Sequence, residues 1–302
     1  MIHTELPTVV AQSVSYYFTQ TFNGLVLGMI LVLIALGLSI IFGMMGIINF
    51  AHGDLLLVGA YVAWATVGVT GSLLAGLVVA PLVVAVLGVA FERAGLRRIY
   101  GENVLLQVLL TFGLAEFLRA GVEAVWGPGG KNFAIPDWGT GSVDLVLFSY
   151  PTYRLFVISL SAVLILGIHL FLTRTDFGLI VRAGTQDRQM VDALGIDISW
   201  VFMVVFAIGT ALAGVAGALI GPIRGAYPTL GIELLVPAFV VIVIGGIGSF
   251  RGTVISGILI GELIVLTGVV YSPAANVIIY VFMAVVLLVK PHGLFGEEGV
   301  FH

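Results

Sequence analysis

Apolar runs recur along the chain near 22–42, 54–70, 73–91, 104–121, 155–173, 200–221, 234–249, 253–271 and 277–290, with a moderately apolar segment near 7–20 ahead of them. Each run is continuous rather than alternating, which predicts helices and not the strands of a barrel. At a rise of about 1.5 Å per residue, a run of about 20 residues crosses a hydrocarbon core of about 30 Å. Several runs are short or closely abutted, so some are expected to break midway or to enter and leave on the same side. The pattern therefore predicts an all-α integral membrane protein, a polytopic helical bundle of about 8–10 transmembrane helices with broken or re-entrant segments. It extends over residues 1–302 as one transmembrane unit.

Composition agrees: 60% of residues are hydrophobic and 9% charged, against about 25% charged in an ordinary soluble domain. No basic region precedes the first apolar segment, which predicts no removable signal peptide. The chain has no cysteine, which excludes disulfides, thiolate metal sites and a cysteine nucleophile. No Lys/Arg cluster is interleaved with aromatics, and nucleic-acid binding is set aside. His3, His52, His169, His292 and His302 form no pair at metal-ligand spacing. Lys131 and Lys290, the only lysines, precede Asn132 and Pro291, so no Walker A sequence exists. The chain is expected to hold no cofactor and to be no enzyme; if ATP is used, another chain hydrolyses it.

The distribution of cations predicts an orientation. With Arg93, Arg97 and Arg98 inside, strict alternation places Arg174, Arg182, Arg188, Arg251 and Lys290 inside as well, and Arg119, Lys131, Arg154 and Arg224 outside. This excess favours an N-terminus outside and a C-terminus inside. The longest outer loop, about 122–153, contains "VWGPGGKNFAIPDWG", whose Gly, Pro and Trp suit turns at the membrane interface. Residues 45–61 and 245–261 echo each other weakly, as glycine-rich breaks ahead of new apolar runs, a pattern that parallel repeats would leave.

The polar interruptions carry the candidate chemistry. In "GIINFAHGD", Asn49, His52 and Asp54 stand beside Gly46, Phe50 and Gly53. One reading is a discontinuous helix bordering a pathway; the other is a tight surface loop in which His52 is wet and Asp54 caps the next helix. Glu262 lies mid-span without a basic residue within a turn, as a gating acid or as an interhelical hydrogen-bonding group. Glu116 and Arg119 share a helix face as an ion pair, expected near the outer end. The segment 174–199 is the longest charged stretch. Thr185 is expected to cap a short amphipathic helix there, with Met190, Val191 and Leu194 on one face and Gly195 ending it. Such a helix either docks a partner or lies on its own bundle.

"GLVLGMILVLIALGLSIIFGMMGIINFAHGDLLLVGAY" resembles the opening of the permease subunits of branched-chain amino acid ABC importers. The resemblance continues through "VRAGTQDRQMVDALGIDISWVFMVVFAIGTALAGVAGALIGP", "VVIVIGGIGSFRGTVISGILIG" and "LLVKPHGLFG", covering most of residues 22–296. It implies a bacterial inner-membrane permease for leucine, isoleucine or valine. Its partners would be a homologous second permease, two cytoplasmic ATPase subunits that bind the ATP and magnesium, a periplasmic or lipid-anchored binding protein, and membrane lipid. It also implies that 183–196, with Ala183, Gly184, Asp187, Met190, Leu194 and Gly195, is the ATPase-coupling helix, and that 46–53 lies near the pathway. Permeases for urea and short amides share the "NFAH" type of motif and stand as the alternative within the superfamily. A self-contained secondary transporter or channel, using Asp54 or Glu262 as an ion site, is the alternative of a different class.

Overall fold

The computed structural model describes residues 5–146 and 148–296. Its helices, in chain order, are α1 Glu5–Met45, α2 His52–Thr70, α3 Leu73–Ala94, α4 Val104–Trp126, α5 Thr152–Arg174, α6 Asp176–Gln186, α7 Arg188–Ala193, α8 Ile198–Arg224, α9 Leu230–Gly245, α10 Phe250–Val270 and α11 Ile278–Val289. Seven are long and apolar enough to cross a membrane, and Leu230–Gly245 and Ile278–Val289 are shorter apolar helices. The nine predicted runs therefore all appear as helices, in a polytopic all-α bundle.

Two predicted boundaries shift. The segment near 7–20 is not separate but forms the first turns of α1, because nothing between Thr19 and Asn23 breaks a helix. The loop 122–153 contains, besides turns, an antiparallel hairpin in which Val143 pairs with Tyr150.

α1 is the axis of the molecule. Between Ile30 and Ala35 every side chain is fully buried, because α8, α9, α10 and α5 surround it. Apolar burial alone does not drive helices together in lipid, so close approach has to come from small residues. Gly28 lies against the α10 backbone, where a Cβ would come within 2.9 Å of Ile258 Cα, and Gly24 makes room for Glu262.

Opposite ends of the bundle are distinguished by its contacts. At one end, Arg97 Nη2 donates to Ser199 O at the start of α8 (3.2 Å), Gly43 faces Gly248, α6 packs on α1, and α7 packs on α6 and α8. Buried Glu92 accepts from Arg97 Nε (3.2 Å) and from the Tyr100 hydroxyl, fixing the α3–α4 turn. Burial and this carboxylate push the Tyr100 phenol above its ordinary range. At the other end, Lys131 pairs with Ala226, and Tyr150 and Arg154 both donate to Asn23 Oδ1.

Candidate functional site

The break after α1 is not a surface loop. Gly46 ends α1 in the left-handed region at φ +68°, a conformation costly for residues with a Cβ. The chain then turns back along the bundle, and Thr111 Oγ1, two turns into α4, donates to Ile48 O at 3.2 Å. Asn49, His52 and Asp54 are all at most 1% exposed. The wet-loop reading is thereby corrected. His52 Nε2 lies 3.2 Å from Ile34 O; a carbonyl only accepts, so Nε2 is the donor. Ile34 stands about 16 Å along α1 from Met45, and the chain returns towards it through residues 46–49 before a turn closed by His52 N–H donating to Asn49 O at 3.3 Å. α2 therefore begins at mid-depth: 46–51 is re-entrant.

Asp54 does not cap α2. The residue preceding the helix, Ala51, is held by Asn49 Oδ1, which accepts its N–H at 3.1 Å. Asp54 instead meets Arg119 of α4, whose Nε donates to Oδ1 at 3.2 Å and Nη2 to Oδ2 at 3.1 Å. Arg119 Nη1 also donates to Glu116 Oε1 at 3.0 Å. The Glu116–Arg119 pair thus forms as expected, and Asp54 joins it as a third member. Arg119 stands in the second half of α4, seven residues before Trp126.

α9 begins against the same place. A Cβ on Gly53 would lie 2.9 Å from both Gly231 C and Leu235 Cβ, and one on Gly231 would lie 2.7 Å from Gly53 C. Two helix N-termini thus meet backbone to backbone, and their partial positive charges face Asp54 and Glu233, the first-turn acids of α2 and α9. Glu233 accepts from Tyr227 OH (2.7 Å) and Thr229 Oγ1 (2.8 Å). Phe50 and Phe239 bridge the two elements with ring centroids 5.5 Å apart. α4 packs on α2 and α11 on α9, flanking this junction. The Glu116 side chain is 51% exposed on a helix that starts about 18 Å away. An ionised carboxylate facing acyl chains there would cost about 3 kcal/mol, which favours water or protein against Glu116, beside the exposed Leu109 and Phe112.

Glu262 does not join this cluster. It packs on Gly24, about 15 Å along α1 from Ile34, and its buried Oε2 meets no hydrogen-bond partner among the described residues.

The charged segment forms two helices where one was expected. Thr185 caps neither, since its hydroxyl donates to Arg182 O. Thr175 caps α6 and Asp187 caps α7, accepting from Met190 N at 2.9 Å. Gly195, at φ +81°, follows α7 as anticipated. Ala183 is exposed while Gly184 is buried against Met44. Val191 packs inward, whereas Met190 and Leu194 are 58% and 72% exposed. Arg188, a residue expected to offer polar contacts, donates to Met45 O at 3.1 Å and lies over Phe202, joining α7 to the residue where the re-entrant segment departs. Its identity as an interior cation in a charged stretch gave no hint of that partner.

A helical bundle that folds polar backbone back into its interior fits a polytopic membrane protein in which protein satisfies the broken helix. The chain belongs to the family described as the branched-chain amino acid transport system / permease component, which matches residues 20–289. It is 31% identical to the high-affinity branched-chain amino acid transport system permease protein BraD of Pseudomonas aeruginosa, over 94% of this chain and 97% of that one. It is equally similar, at 31% with the same coverage, to LivH of Escherichia coli K12. A more distant similarity, 26% over 78% of this chain and 60% of the other, is to the permease protein LivM of Escherichia coli K12.

Proposed function

We propose that this chain is the membrane-spanning permease subunit of an ATP-binding-cassette importer that moves branched-chain amino acids inward across the bacterial cytoplasmic membrane. The observation that carries the reading is the junction of α2 and α9 at mid-depth beside the charged face of α4. There, two helix N-termini and Arg119 suit the carboxylate of an amino acid, Asp54, Glu116 and Glu233 suit its ammonium, and Phe50 and Phe239 suit an apolar side chain. The names of BraD and LivH support the same substrate class.

In this reading Gly46, Asn49, Phe50, His52, Gly53 and Asp54 shape the passage. Glu262, remote from them, acts within the α1–α10 packing. α6 and α7 face the cytoplasm, which puts the N-terminus outside. Two ATPase subunits, which hold the ATP and magnesium, dock on Met190 and Leu194, with Ala183, Gly184, Asp187 and Gly195 shaping that surface. A second, homologous permease completes the passage; the similarity to LivM supports a related rather than identical chain. A binding protein delivers the substrate to the outer face.

The test is uptake in proteoliposomes. The chain with a related permease, the ATPases and the binding protein should accumulate leucine only with ATP inside the compartment that the ATPases face. Accumulation by this chain alone, driven by a proton gradient, would overturn the reading in favour of a secondary transporter.

A further inference from the structure

A groove runs down the outside of the bundle between α5 and α10, remote from the α2–α9 junction. Met29 of α1 forms its floor, Ile165 and Leu166 one wall, and Val254, Ile255 and Ile258 the other, enclosing about 440 Å³. Its lining is almost wholly apolar, and the neighbouring Val163, Leu170 and Leu259 are exposed on the same helices, as a surface in contact with acyl chains would be.

The groove does not end bluntly. His169, Phe250 and Arg251 line both it and a second cavity of about 520 Å³ at the end of the bundle that carries α6. That cavity is mixed in character: beside apolar residues such as Leu36 and Ile40, Arg182 and Arg251 border it with Thr173, Thr185 and Ser249, and no carboxylate lines it among the described residues. Arg182 is held in place because Nη1 donates to Leu172 O at the end of α5. Arg251 makes no ion pair among the described residues. The first turn of α10 opens here, adding its positive end to the two guanidinium groups.

We infer that this composite site binds one anionic glycerophospholipid of the leaflet on the α6–α7 side, its phosphate between Arg182 and Arg251 and one acyl chain in the α5–α10 groove. The occupant follows from complementarity. Two cations without a lining carboxylate select a negative group, and the slot running from them toward the bilayer centre selects an attached hydrocarbon chain. From Arg251 to Ile258 the slot is about 10 Å long, which fits within one leaflet's share, about 15 Å, of the hydrocarbon core. The vertical order, charge at the helix ends and apolar walls above, is that of a lipid in its own leaflet.

The full-length chain, extracted in mild detergent with its lipids exchanged for defined ones, tests this by native mass spectrometry. With phosphatidylglycerol present, one retained lipid per chain is expected, and none with phosphatidylcholine. Arg251→Gln and Arg182→Gln should each weaken phosphatidylglycerol retention by about fivefold, and Ile255→Trp should weaken it by filling the slot. Arg98→Gln, an exposed cation elsewhere at the same end, should leave it unchanged. Because Arg182 also ties down α5, its variant is compared at matched thermal stability, and Arg251→Gln decides if that match fails. Equal retention of the two lipids, or wild-type retention in Arg251→Gln, overturns the site. Displacement of the lipid by inorganic phosphate alone would show a phosphate pocket without lipid selectivity and overturn it too. A change in oligomeric mass for Ile255→Trp with lipid retention intact would show that the groove is a protein contact.

Discussion

Asp54 and Arg119 lie 65 residues apart in the chain and meet through two hydrogen bonds of 3.2 and 3.1 Å, with Asp54 1% exposed. A buried charge that loses its partner costs about 3–5 kcal/mol. The two ends of this pair are not equivalent, because Arg119 retains Glu116 when Asp54 is neutralised. Arg119→Met should therefore destabilise the detergent-solubilised protein by about 3–5 kcal/mol and Asp54→Asn by clearly less. The double variant should recover most of the loss. Equal single losses that simply add in the double variant would show that the two charges are not coupled.

The α2–α9 junction depends on two absent side chains. Gly53→Ala or Gly231→Ala places a methyl group against the opposing backbone and should part the two helix ends. Gly68→Ala, with nothing within 4 Å of the added carbon, serves as the control. Substrate uptake should fall sharply in the first two and stay at wild-type level in the third. Wild-type uptake by Gly53→Ala would show that the close approach has no part in transport.

Met190 and Leu194 are exposed in this chain, so a charge there should not disturb its own fold. Buried in an apolar contact with an ATPase, the same charge would cost several kcal/mol, of the order of about 3–5. Met190→Asp and Leu194→Asp should leave the melting temperature of the isolated chain unchanged and prevent co-purification of the ATPases. Intact stoichiometry with substrate-stimulated ATP hydrolysis would place the docking surface elsewhere.

Arg188 links α7 to Met45 O, beside the glycine at which the chain turns back. Arg188→Gln should permit assembly and ATP hydrolysis but lower the amount of leucine taken up per ATP. An unchanged ratio would mean that movement of α7 does not reach the re-entrant segment through this contact.

The helices were legible in the sequence because lipid imposes long continuous apolar runs, and even the short α9 and α11 obey that rule. Depth was not legible. Nothing in "GIINFAHGD" distinguishes a wet turn from a segment folded back to Ile34, since the deciding partners, Ile34 O, Thr111 and Arg119, come from distant turns. Capping failed for a related reason: Thr185 and Asp187 are both competent N-caps, and the backbone became extended at Asp187. The candidate residues were therefore found as residue types, whereas their grouping, with Asp54 beside Arg119 and Glu262 far away, required the fold.

The central claim is that the α4 face bearing Glu116 borders the passage beside the α2–α9 junction. The chain has no cysteine of its own, so Glu116→Cys provides a single reporter in this chain, read on its own band within the assembled transporter. Its reaction with a membrane-impermeant thiol reagent should proceed from the aqueous phase, slow in the presence of leucine-loaded binding protein, and change rate when ATP binds. Resistance to the aqueous reagent under all these conditions, with ready labelling by a lipid-soluble maleimide, would contradict the account by placing this face against the bilayer.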